Sequence, residues 1–220
     1  MSRETLERKE EELLDEILIL GKMVETAMLD AVEALRTRDM EASKKVLELD
    51  KEINLKRFDI EKETLITIAT QQPMATDLRI LASVFEVSTE LERMGDYAKG
   101  IAKINIRMGT EALLKPLIDI PKMAKIALSM LNKSLTAFVE GDEKAARIIY
   151  LEDDKVDALY EKIYRELIGI AAKDPELVDK ANNLLWACHN IERLADRVTN
   201  ICERTIFVVT GELVELADAF

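Results

Sequence analysis

Apolar residues near the start of the chain fall at Leu6, Leu13, Ile17, Leu20, Val24, Ala27, Ala31 and Leu35, in steps of three and four with a single seven. That spacing predicts one long helix with a single buried stripe. The pattern ends near Arg38, and Asp39 is placed to cap a second helix whose inward set is Ala42, Val46, Leu49 and Ile53. Gln71-Gln72-Pro73 ends this helix, and Thr76 or Asp77 opens a third that runs to about Met108. Residues 109–120 read as a linker, with Pro116 inside it and Pro121 just beyond. Gly141-Asp142 separates a fourth helix from a fifth, and Asp174-Pro175 starts a sixth that runs to about Thr210, before Gly211.

The two halves of this pattern overlay. Asp39, Val46, Asp50, Ile53 and Asn54 correspond to Asp142, Ile149, Asp153, Val156 and Asp157 at an offset of 103 residues. The turn ending at Pro73 answers the one ending at Pro175 at an offset of 102, and Glu92, Arg93 and Asp96 answer Glu192, Arg193 and Asp196 at 100. The offset changes at helix turns, where length changes cost least, and holds within helices. The expected fold is therefore all-α, with two tandem pseudo-symmetric three-helix bundles: residues 1–108, a linker at 109–120, and residues 121–220. Short connections make neighbouring helices antiparallel.

Composition narrows the function. Charged residues make up 34% and hydrophobic residues 48%, the balance of a folded domain, and only seven Gly and four Pro interrupt the helices. A net charge of −12 argues against nucleic acid as a partner and favours cations or a basic protein surface. The start, MSRETLERKEE, is too charged for a signal peptide, and no apolar run is long enough for membrane insertion, so a cytoplasmic location is expected. Cys188 and Cys202 share one helix about 21 Å apart along its axis, beyond disulfide reach.

The repeated acids are the candidate chemistry. Glu92 and Asp96 lie on one helix face, as do Glu192 and Asp196. Counted outward from each turn, Asp50 and Asn54 face Asp96 and Glu92, while Asp153 and Asp157 face Asp196 and Glu192. Like charges at this spacing repel by roughly 0.2–0.5 kcal/mol per pair, and a bound cation would relieve the repulsion. Oxygen-only donors suit Mg, Ca, Mn or Fe better than Zn. In the second half the polar stripe continues through Asn200 and Glu203, where the first half has Gly100 and Lys103, so the second site is expected to bind cations more tightly. Against this stands the reading of a plain scaffold with solvated acidic faces, with Arg93 and Arg193 neutralising the acids internally. A metal-storage or di-iron carboxylate bundle would need Glu-x-x-His twice, and the chain's one histidine stands in the reverse order, His189-x-x-Glu192. No Gly-rich nucleotide loop is present either, so an enzyme is not expected.

ELERMGDYAKGIA and NIERLADRVTNICE, together with EDDKVD and QQPMATDLR, resemble the PhoU family of phosphate-uptake regulators. The resemblance implies divalent or trivalent metal ions, in multinuclear clusters, held by Asp50, Glu92 and Asp96 in one half. In the other half it implies Asp153, Asp157, Glu192, Asp196, Asn200 and Glu203. It implies a homodimer and a negative regulator of phosphate uptake, in contact with the ATPase subunit of the phosphate ABC transporter and with the sensor histidine kinase of the phosphate-starvation response. The chain departs from the family pattern at Asn54, Gly100 and Ala195.

Overall fold

In a computed structural model that describes residues 3–216, every regular element is helical. The helices are α1 (Arg3–Thr37), α2 (Met40–Gln71), α3 (Thr76–Met108), α4 (Asp119–Glu140), α5 (Glu143–Tyr150), α6 (Asp153–Ala171) and α7 (Val178–Thr210). A 3-10 turn, Pro175–Leu177, leads into α7. The caps form where the sequence places them: Asp39 accepts from the Ala42 amide at 2.9 Å, and Asp142 from the Ala145 amide at 2.9 Å. Among the described residues no helix is long and apolar enough to cross a membrane.

The stripe of α1 is buried at all eight expected positions. That of α2 is rotated by one residue from expectation. Ser43, Val46, Asp50 and Ile53 face inward, while Ala42 and Leu49 are only half-buried. An acid therefore occupies a core-facing slot, and this decides the electrostatics of the first repeat.

The predicted fifth helix is two helices. The chain breaks at Leu151-Glu152, between α5 and α6. Glu152, Asp153 and Asp154 follow one another there, and aspartate is a poor residue for a helix interior but a favourable one in a first turn, near the positive end of the helix dipole. Lys133 of α4 holds Glu152 through both carboxylate oxygens, at 2.8 and 2.9 Å. The break puts Asp153 at the start of α6, whereas its counterpart Asp50 lies mid-helix.

α1, α2 and α3 pack together, as do α4, α5, α6 and α7. The two groups share one buried core across a seam where α3 packs antiparallel on α7 and α1 crosses α4. At the α1–α4 crossing Gly21 lies under Leu135, where any side chain would overlap it. In the seam Arg197 Nε donates to the Tyr97 hydroxyl at 3.2 Å, so residue 97 meets its own counterpart and marks the pseudo-two-fold axis. The flanking pairs mirror one another: Asn200 donates to Glu90 at 3.1 Å, and Gly100 lies against Asn190.

Candidate metal centres

Each repeat brings its acids together in the groove between two antiparallel helices, α2/α3 or α6/α7. The two grooves differ in what neutralises them.

In the first, Asp50 is 4% exposed, and its Oδ2 accepts from Lys99 Nζ at 2.7 Å. The same ammonium lies 3.1 Å from Asp96 Oδ1. Asp50 Oδ1 has no hydrogen-bond partner. Burial raises the Glu92 pKa, Asp96 and Asp50 raise it further, and Arg57 and Arg93 oppose them. Asn54 donates to the Asp50 carbonyl at 2.9 Å and adds no charge. Lys99 thus fills the space between the acids of α2 and α3. Its carboxylate partners hold its own pKa up, Asp50 most strongly.

In the second groove Thr199 stands at the place of Lys99, and its hydroxyl donates to the Asp196 carbonyl at 2.7 Å. Asp153, Asp157, Glu192 and Asp196 face one another with less internal relief. Burial raises the Asp153 pKa to about 7, with Asp157, Asp196 and Glu192 adding to it. Asp157 and Glu192 are raised by burial first and then by Asp196. Arg193 pairs with Asp196 at 2.8 Å on the exposed side. His189 Nδ1 stands 3.0 Å from Glu192 Oε2, yet that oxygen and Asp153 Oδ1 are buried with no hydrogen-bond partner.

Two sequence candidates lie outside this group. Asn200 points into the α3–α7 seam, to Glu90, and its counterpart Gly100 lies in the same seam. Glu203 Oε1 accepts from the Leu216 amide at 2.9 Å and so anchors the segment after α7. The difference in charge pairing between the two grooves lies at Lys99, which sequence spacing did not single out. Its signal was a lysine three residues after Asp96, one among many such pairs in a highly charged chain.

Ala195 for Gly95 is compensated across the helix pair. A Cβ on Gly95 would sit 3.1 Å from Ile53 Cγ2, whereas the counterpart of Ile53 is the smaller Val156. Cys188 and Cys202 are both free and buried, and burial pushes each thiol pKa up to about 12, so neither is an activated nucleophile.

The fit to a metal differs between the grooves. Among the described residues no group of three or more His, Cys, Asp or Glu side chains is arranged to hold a metal ion. In the first groove the Lys99 ammonium lies between Asp50 and Asp96 and leaves their charge paired. In the second, the donor set is all oxygen, the carboxylates repel, and two buried oxygens accept no hydrogen bond, so rotation of these side chains would suit a hard cation.

A pseudo-symmetric pair of helical bundles with paired carboxylates in each groove defines the class of protein. The PhoU domain matches residues 4–104 and 120–205, and the chain belongs to the PhoU family. It is 36% identical over 219 residues, covering 99% of the chain and all of the relative, to a phosphate-specific transport system accessory protein PhoU homolog of Clostridium acetobutylicum. It is 32% identical to PhoU of Escherichia coli, over 92% of this chain and 84% of that one. The crystal structure of the phosphate transport system regulatory protein PhoU from Streptococcus pneumoniae superimposes with a TM-score of 0.88, at 32% identity, covering 96% of this chain and 99% of that one. PhoU from Pseudomonas aeruginosa gives a TM-score of 0.87 at 30% identity, covering 94% and 99%.

Proposed function

We propose that this protein is a cytoplasmic regulator of phosphate uptake that acts as an adaptor, not an enzyme, and carries a cation in its second groove. The regulatory role is supported by relatives named for the phosphate transport system along nearly the whole chain, one of them at 36% identity. The observation that carries the metal reading is the set of four facing carboxylates in the α6/α7 groove. Asp153, Asp157, Glu192 and Asp196 would hold the cation, an ion such as Mg, Mn, Ca or Fe. A bound cation supplies positive charge that cancels their repulsion and fixes their rotamers. Asp50, Glu92 and Asp96 would bind only after Lys99 swings away, so the first groove is the weaker site.

In this reading the ATPase subunit of the phosphate ABC transporter and the phosphate-regulon sensor kinase recognise the metal-loaded surface, and the regulator works as a homodimer. The test is metal analysis of the purified protein, with pull-down of both partners before and after chelation. Glu192→Gln with Asp196→Asn keeps shape while removing charge and coordination. This double variant should lose bound metal and bind the partners more weakly than the metal-loaded parent, with its helix content unchanged. Normal partner capture by a metal-free variant would remove the cation from recognition.

A further inference from the structure

One turn beyond the acids, the α6/α7 groove changes character. Tyr160 faces His189 with ring centroids 6.3 Å apart, His189 meets the edge of Trp186 at 5.6 Å, and Tyr164 stands 6.5 Å from Tyr160. With Leu185 and Asn182 these rings line a surface pocket of about 310 Å³. The chain has one Trp and one His, and both are here. Trp186 is 52% exposed, an unusual position for the largest apolar side chain unless something covers it.

The first repeat shows what this location can hold. Helix register places Arg57 at the position of Tyr160, Glu61 at that of Tyr164, and Phe58 at that of Glu161, all at the offset of 103 that also aligns the buried Ile53/Val156 and Ile60/Ile163 pairs. There Arg57 lies 4.3 Å from the Phe58 ring centroid, pairs with Glu61 at 2.6 Å, and relieves the charge of Glu92. The second repeat keeps an acid and an aromatic ring at the two flanking positions, with the two exchanged, and adds Trp186 and His189. No guanidinium lines the pocket itself, since Arg165 pairs with Glu161 outside it.

We propose that the Tyr160–Tyr164–Trp186–His189 pocket is a docking site for an arginine side chain presented by a partner protein. Ring faces attract a guanidinium, and Glu192 supplies most of the negative field at Tyr160, with Glu161 adding less because Arg165 already pairs with it at 2.6 Å. The same acids disfavour nucleotides and other phosphate-bearing ligands, and the pocket's volume, at the small end of ligand sites, suits one side chain. Beyond Trp186, Lys103 and Arg107 line a separate hollow across the seam, so the arginine enters from the α6 side. The pocket shares Glu192 with the metal reading, and its test is run in chelator so that the two can fail separately.

The single tryptophan reports binding directly. The full-length protein is titrated with a capped peptide carrying one central arginine, with the citrulline analogue as the isosteric neutral control. The arginine peptide should change Trp186 fluorescence saturably and the citrulline peptide should not. Tyr164→Ala should weaken binding about fivefold, the effect of removing one exposed cation–π interaction. Tyr160→Arg, which installs the first repeat's own guanidinium, should shift the Trp186 spectrum without peptide and abolish the titration. Circular dichroism verifies the fold of both variants, and should Tyr160→Arg unfold, Tyr164→Ala decides alone. An equal response to citrulline, no saturable response, or unaltered binding by Tyr164→Ala would overturn the proposal. Arginine amide binding as tightly as the peptide would make this a small-cation site and overturn the docking assignment.

Discussion

Lys99→Thr gives the first groove the residue that the second already has. Asp50 is almost fully buried, its Oδ2 is held by Lys99 at 2.7 Å, and its Oδ1 has no partner. Removing one member of a fully buried ion pair costs about 3–5 kcal/mol, because the other charge is left desolvated. The Lys99 side chain is 28% exposed and water can follow it out, which reduces the cost to about 2 kcal/mol. For a chain of this size that lowers the melting temperature by roughly 4–8 °C in chelator. A divalent cation should then restore what the ammonium supplied, and saturation at a hundredfold excess over its dissociation constant contributes about 2.7 kcal/mol. The measurement is a thermal melt with and without Mn or Mg, in a background of Glu192→Gln and Asp196→Asn so that any response comes from the first groove. Unchanged stability on losing Lys99 would refute the argument that the lysine substitutes for a cation. So would a metal response equal in the presence and absence of the lysine.

Gly95→Ala should destabilise by about 1 kcal/mol, since overpacking against Ile53 exceeds the gain in helix propensity, and Ile53→Val should recover part of the loss in a double-mutant cycle read by urea unfolding. The raised pKa of Asp153 sets a pH dependence. Its folded value of about 7 exceeds the ordinary 3.8, so its contribution to stability is fully present below about pH 4 and is lost as pH rises through 7. Asp153→Asn should therefore stabilise the metal-free protein at pH 8 and do little at pH 4, as compared by urea midpoints. Glu10 is buried and also raised to about 7, burial being the main cause, so Glu10→Gln should show the same pH trend with no change in metal content. Leu91→Ala, at a fully buried position beside the first motif, should cost about 2–5 kcal/mol and separate loss of core from loss of charge in calorimetry.

Periodicity made the helices legible, and counting from the turns paired acids that lie near one another in the folded chain, because antiparallel helices joined by short turns have little freedom of register. Four features escaped for physical reasons. The inward slot of Asp50 differs from that of Leu49 by a rotation of one residue, which an apolar pattern does not resolve when a partner ammonium lets an acid be buried. The break at Leu151-Glu152 coincides with the acidic run at 152–154 and with Lys133 of another helix pairing to Glu152, and that ion pair leaves no local trace. The assignment of Lys99 to Asp50 is fixed by a side-chain conformation across two helices. Asn200 and Glu203 continue the stripe in sequence, but four residues of helix advance about 400°, and that drift carries Asn200 toward α3.

The meeting of residue 97 with residue 197 bears on the history of the fold. A two-fold axis that passes through a residue and its own repeat is the geometry of a symmetric homodimer, with one copy's third helix against the other's. A single repeat standing alone would leave that face of the helix bare, so an ancestral half-length chain would have needed a second copy of itself to bury it. Fusion of the two genes would have freed each half to diverge. One half could then keep Lys99 and Arg57, while the other came to carry Thr199 and Tyr160 at the same positions.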